Sequence, residues 1–291
     1  MNADIPISIC VYLLSSVVNK NLHVWFMDIL SEIERKARSN HARIGLGIGA
    51  NSDKLINSAE DACEYSEVVL VGDENQIKAT GTGLEIIHST EPSRTLVDLL
   101  VAGEIDGAVR GTLSATKTLS ILKKSLGMNK LYRAALLETA DGRPFFLAPV
   151  GIDEGNSVAD KIELIKRGAA HIKRLDITAK VGILSGGRFE DKGRDERVDK
   201  TLADAELVTK KVCEMGIDAK NYSILIEDAI KEANFIIAPD GISGNLIFRT
   251  LVFLGGGHGY GAPVLMEKVF VDTSRVKEDA VRAIMLASAM K

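Results

Sequence analysis

The sequence predicts an α/β protein with a mainly parallel sheet covered by helices on both faces. Two observations carry that prediction. Short apolar runs such as Val68–Gly72 and Phe235–Ala238 are continuous rather than alternating, as expected for strands buried on both faces. Stretches that read as helices, among them Pro92–Ala102 and Ser157–Lys173, separate these runs along the chain. A chain of 291 residues, 46% of them hydrophobic, is long enough for one large domain or two ordinary ones and for a full core.

Taken in order, Met27–Arg38 is an amphipathic helix, Ala42–Gly49 a strand, Asp53–Tyr65 a helix and Val68–Gly72 a buried strand. Glu85–His88 is a short strand. Pro92–Ala102 is a helix with proline in its first turn, where no N–H is needed. Gly107–Val109 is a strand and Ser114–Leu126 a helix ended by Gly127. Tyr132–Glu138 and Phe145–Val150 pair around the turn Asp141–Gly142. That hairpin interrupts the alternation and is a natural place for a second domain to begin. Ser157 caps the long helix Ser157–Lys173. Lys180–Leu184 is a strand, Arg188–Asp199 a charged surface loop, and Val198–Met215 a helix closed by Gly216. Phe235–Ala238 is a strand and Ser243–Leu254 a helix. Val276–Met290 is the last helix, with Val276, Ala280, Ile284 and Ala287 at helical spacing. The run Gly255–Gly261 reads as the most flexible stretch, a hinge or cover for a cleft. His258 within it is either an acid–base group or simply exposed.

A net charge of −4 and a pI near 5.8 argue against a general phosphate-backbone binder, so no nucleic-acid partner is expected. The three cysteines, Cys10, Cys63 and Cys213, are scattered and form no CxxC or Cys/His pair. Neither a zinc site nor a disulfide framework is signalled, and a reducing cytoplasm fits best. The apolar stretch Ile7–Val18 is too short to span a bilayer, and Asp4 sits where a signal peptide would carry a basic residue. No membrane association is expected. Residues 1–26 read as an N-terminal extension, with Met27 as the natural start.

In parallel α/β sheets, ligands bind beyond the carboxyl ends of strands. Four such places stand out. Gly45–Asn51 alternates glycines, either as a nucleotide-type turn or as a strand packed close to a helix. Arg110–Gly111 leads into the hydroxyls Ser114, Thr116 and Thr118 at a helix start, where free N–H groups and a fixed guanidinium suit an anion. Ordinary capping by Thr112 or Ser114 is the competing account. Asp240–Gly241–Ile242–Ser243–Gly244–Asn245 reads as a turn that lines a cleft. Its glycines would let backbone approach a ligand, and Asn245 would hydrogen-bond across the turn. Thr273–Ser274–Arg275 enters the last helix with Asp279 in its first turn. Ser274 and Arg275 would hold an oxyanion and Asp279 would act as a base, although Ser and Asp are also common at helix starts. Together these residues point to a small anionic substrate.

In this order the loops resemble those of phosphotransacetylase and its phosphate acetyl/butyryl transferase relatives, from about Met27 to the C-terminus. The likeness is carried by Ile44–Leu46, Val69–Asp73, Gly103–Gly111, Lys180–Ser185, Val198–Lys200, Phe235–Asn245 and Thr273–Arg275. Asp240–Asn245 is also similar to the acyl-phosphate synthase PlsX. Within this superfamily the chain is identified as a member of the methanogen MtxX family, proteins assigned as methyltransferases linked to methanogenesis. The DGISGN turn and the glycine run before Pro263 favour that branch.

The resemblance implies a two-domain, isocitrate-dehydrogenase-like fold with an interdomain cleft. One α/β domain would comprise 27–130 plus 262–291 and the other 131–261, and a homodimer would form through the latter. It implies the phosphotransacetylase roles, in which Ser274 stabilises the transition state, Arg275 binds the anion and Asp279 deprotonates the coenzyme A thiol. The chain departs from the phosphotransacetylase pattern at Ser120, where an arginine is usual; Arg94 or Arg110 is the candidate substitute. Three functions follow. The first is group transfer of the MtxX type, with methyl as the group. The chain has no corrinoid-binding Asp-x-His, so a corrinoid would arrive on a methyl-carrier protein. The second is phosphate acyltransfer with a coenzyme A-like ligand. The third is a non-catalytic sensor or assembly factor that binds a small anion.

Overall fold

The computed structural model describes residues 29–49, 52–274 and 279–291. Residues 1–26, read from the sequence as an extension, and Met27, Arg275 and Val276 lie outside them.

A helix over residues 29–40 (α1) opens the described chain and turns Ile29, Ile33 and Ala37 into the core. The first half then alternates: β1 Arg43–Gly47, α2 Asp53–Asp61, β2 Glu67–Gly72, α3 Glu74–Lys78, β3 Glu85–His88, α4 Pro92–Ala102, β4 Gly107–Val109 and α5 Ala115–Ser125. A hairpin follows, β5 Ala135–Glu138 and β6 Pro144–Ala148. The second half comprises α6 Val158–Lys173, β7 Val181–Ile183, α7 Glu196–Glu214, β8 Ala219–Asn221, α8 Ile226–Glu232, β9 Phe235–Ile237 and α9 Gly241–Phe253. The chain closes with β10 His258–Pro263, β11 Val269–Asp272 and α10 Val281–Ala289.

The strands lie in the order β3-β2-β1-β4-β11-β10-β5-β6-β9-β7-β8. The run from β3 to β11 is parallel, and so is the run from β6 to β8. Antiparallel pairing of β11 with β10, β10 with β5 and β5 with β6 joins them. Helices on both faces leave the parallel strands no wet side, which explains their unbroken apolar runs. Ile44, Leu46 and Leu70 face one core cluster, built with Ile56 and Ile284. Val71, Ala108 and Phe270 face another, built with Leu96 and Leu100.

The alternating glycines of β1 belong to this packing. A methyl on Gly45 would meet Leu96 and Ile105 within 3 Å, and one on Gly47 would lie 2.3 Å from Leu113. The strand-against-helix account of Gly45–Asn51 therefore holds for Gly45 and Gly47, and Asn51 lies outside the described residues.

Several expectations are corrected. Asp240–Asn245 is not a turn but the cap and first turn of α9. The loop Arg188–Asp199 shortens, because Asp195 caps α7 by accepting from Arg197 and Val198. The glycine run is largely not a hinge. His258–Pro263 is a strand inside the sheet, with a register shift between Gly259 and Gly261. Gly261 has φ +115°, and a methyl there would lie 2.4 Å from Val271. Short or polar elements with little pattern of their own, α3, β8 and α8, were not foreseen, nor were the strands β10 and β11.

Candidate functional site

β4 and β11 are neighbours and end together, so the loops after them meet. Arg110 N–H donates to Val271 O, and Thr273 Oγ1 donates to Gly111 O at 3.1 Å. Beside this point the bulge in β10 turns Tyr260 inward, and α9 passes with Asn245, Phe248 and Arg249 on one side. These elements and α10 enclose a cavity of about 180 Å³. Its apolar wall is formed by Ala135, Val150, Phe248, Tyr260, Ala262 and Ala283. Its polar wall is formed by Arg133, Asn245, Arg249, Asp272, Thr273, Ser274 and Asp279.

A buried ionic chain supports the floor. Arg110, 2% exposed, pairs with Asp272 and also donates to the carbonyl of Leu113. Asp272 accepts from Arg133 Nη1 at 2.8 Å, and Arg133 Nε donates to Glu154 Oε1 at 2.7 Å. Burial by itself would lower the Arg133 pKa, but the charges of Glu154 and Asp272 outweigh it and hold the guanidinium firmly protonated. Tyr260 donates to Glu138 Oε2 at 2.9 Å, and burial together with that hydrogen bond raises its phenol pKa. Asp279 accepts from Val281 N–H and pairs with Arg282 Nη1 at 3.2 Å.

The predicted site residues divide. Ser274, Asp279 and Asn245 line the one cavity. Arg275 lies outside the described residues. Arg110 is corrected: its guanidinium is spent on Asp272 and on carbonyls beneath the floor, so it is not a free anion binder. Gly111 takes φ +59° and lies against Gly47 O, where a methyl would be 2.1 Å away. Ser114 caps α5 by accepting from Lys117 N–H, and Thr116 is exposed on the first turn of that helix. Neither residue lines the cavity. Capping is thus the account the structure gives for that loop.

The Asp240 carboxylate caps α9, accepting from Ser243 N–H at 2.7 Å and Ser243 Oγ at 2.9 Å. Gly241 and Gly244 face protein backbone. Methyls there would lie 1.7 Å from Gly151 O and 1.9 Å from Pro149 O. Close approach is what these glycines serve, but the neighbour is the loop after β6. Asn245 Nδ2 donates to Val150 O of the same loop at 3.0 Å.

Arg133, Arg249, Phe248 and Tyr260 were not singled out from the sequence. Arg249 had a legible signal, since it lies four residues after Asn245 on a helix and so shares its face. Arg133 and Tyr260 had none, because their place depends on the antiparallel junction.

No family model matches the chain. The protein of Methanosarcina mazei provisionally named methyltransferase mtx subunit X is 58% identical over 265 residues, 90% of this chain and 95% of that protein. A protein of Methanocaldococcus jannaschii, named as an uncharacterised methyltransferase, is 38% identical over 79% of this chain and 89% of its own length. Among solved structures, a branched-chain phosphotransacylase of Enterococcus faecalis V583 superposes with a TM-score of 0.69 at 17% identity, covering 86% of this chain and 99% of that one. EutD phosphotransacetylase of Staphylococcus aureus superposes with a TM-score of 0.66 at 18% identity, covering 91% and 98%. At these identities the likeness establishes a phosphotransacetylase-like fold.

Proposed function

The chain belongs to the mtx subunit X family of methanogen proteins, and from that premise we propose that it is a group transferase acting on a small anionic molecule in the cavity between α9, β10 and the end of β11. The observation that carries this reading is convergence. Asn245 on α9 and the Ser274 and Asp279 that follow β11, from two separate stretches of sequence, line one partly enclosed space with a preorganised ionic floor.

The transferred group in this reading is methyl, in methanogenesis, as the relatives' names suggest. Asp279 takes the proton from the acceptor's X–H group, and the acceptor's electron pair forms the X–CH₃ bond. The bond from methyl to its donor breaks, and its electron pair leaves with the donor. Ser274 donates a hydrogen bond to negative charge that grows on the substrate. The methyl donor arrives on a separate carrier protein. The two α/β domains, 27–130 plus 262–291 and 131–261, would flank the site, and the protein would work as a homodimer in the cytoplasm.

A second reading, phosphate acyltransfer, draws on the wall of Ala135, Val150, Ala262 and Ala283, which suits a short acyl chain. In both readings Ser274→Ala removes one preorganised donor and lowers turnover by about 10²–10³ without unfolding the protein. The decisive assay offers the full chain methylated corrinoid carrier in one series, and acetyl- or butyryl-coenzyme A with phosphate in another. Demethylation of the carrier supports methyl transfer, and coenzyme A release supports acyl transfer. Binding without turnover in either series leaves a sensor or assembly factor.

A further inference from the structure

Among the described residues, charge balance around the cavity singles out one residue. Arg133 is neutralised by Glu154 and Asp272, and Asp272 also serves Arg110. Asp279 is paired with Arg282. These pairs sum to no net charge. Arg249 remains: among the described residues its guanidinium has no ion pair, and it lies over the Phe253 ring, 5.3 Å from the centroid. It lies one helical turn beyond Asn245 on the face of α9 that lines the cavity, with Phe248 beside it. The apolar wall lies close by, where Ala135, Ala262 and Ala283 leave space that larger side chains would fill.

We propose that Arg249 binds the anionic group of the substrate, and that the cavity selects a small molecule with one anionic group on a short apolar body. This rests on the cavity being the substrate site, and it gives that site the cation that Arg110 cannot supply. An unpaired guanidinium at the rim of a partly enclosed space attracts a carboxylate or a phosphate alike, in bidentate fashion. The alanines and Phe248 then gain from covering the organic part. The ring of Phe253 holds the guanidinium in place without neutralising it.

The test is calorimetric titration of the full chain with n-butyrate and with n-propyl phosphate, two anions on bodies of similar length, and with n-butanol as the uncharged control. The unmodified protein is expected to bind at least one anion, and the tighter of the two identifies the class. Arg249→Ala should weaken that binding at least ten-fold, Arg249→Lys should recover part of it, and butanol should be indifferent to both changes. Arg249 is exposed, so its replacement leaves the core intact, and a thermal melt of each variant checks this. Equal anion affinity in Arg249→Ala and the unmodified chain overturns the assignment, as does binding of neither anion. Because the readout is affinity, this outcome is separable from failure of group transfer. A protein that binds anions through Arg249 but transfers nothing would sink the transferase reading alone.

Discussion

At the scale of single residues, Asp272 holds the site together. It is the shared counter-ion of two arginines, one of them deeply buried, and Arg110 has no other carboxylate partner among the described residues. Removing one partner of a buried pair leaves a desolvated charge, which costs far more than the pair itself contributes. Asp272→Asn is therefore expected to destabilise the fold by about 3–5 kcal/mol, read from the urea midpoint at constant m-value. A loss below about 1 kcal/mol would mean that water reaches Arg110 when the carboxylate is gone. The contrast with Arg249 is instructive. Both are arginines near a strand or helix end, and sequence offers no means of telling a neutralised guanidinium from a free one.

At the scale of elements, α9 carries the most consequence. Its start is set by the Asp240 cap, its position by the contacts of Gly241 and Gly244 with the loop after β6, and its cavity face by Asn245, Phe248 and Arg249. Asp240→Ala should cost about 0.5–2 kcal/mol by leaving the Ser243 N–H without its acceptor. Gly244→Ala should cost about 1–3 kcal/mol, because its methyl cannot fit against Pro149 O unless the helix moves away. Thermal denaturation of both variants checks the order, with the glycine substitution the worse. If Gly244→Ala were neutral, the packing of α9 on the loop would be looser than described. The residues Asp240–Asn245 were conspicuous in the sequence for good reason, but most of them start α9 and seat it on the loop after β6, and only Asn245 faces the cavity.

At the scale of the whole molecule, the two parallel runs meet at an antiparallel junction, and α6 reaches across it. His171 on α6 is buried, hydrogen-bonds the backbone of Val264 and leaves Nε2 without a partner. Burial first, and then the charge of Arg174, lowers its pKa from 6.5 to about 4. The unfolded chain therefore binds more protons than the folded one between those values. Stability from the neutral ring is complete above about pH 6.5 and drains away as pH falls toward 4, by an amount on the order of 3 kcal/mol. Melting temperatures at pH 7 and pH 4.5 should differ more for the unmodified chain than for His171→Gln, and an equal drop in both would assign the acid sensitivity to other groups. Helices such as Pro92–Ala102 and strands such as Glu85–His88 and Gly107–Val109 were legible to the residue, because periodicity, proline and glycine act locally. So was the α/β class, because a strand buried on both faces must be apolar throughout. β10 was not legible: a glycine-rich run carries no strand propensity of its own, and only pairing with β5 and β11 makes it one. By itself the sequence determined the fold class, the family and the candidacy of Asn245, Ser274 and Asp279. Only the tertiary structure decided that Arg110 lies under the floor while Arg249, among the described residues, has no ion pair at the cavity, because the ionic state of a side chain depends on neighbours brought to it from distant parts of the chain.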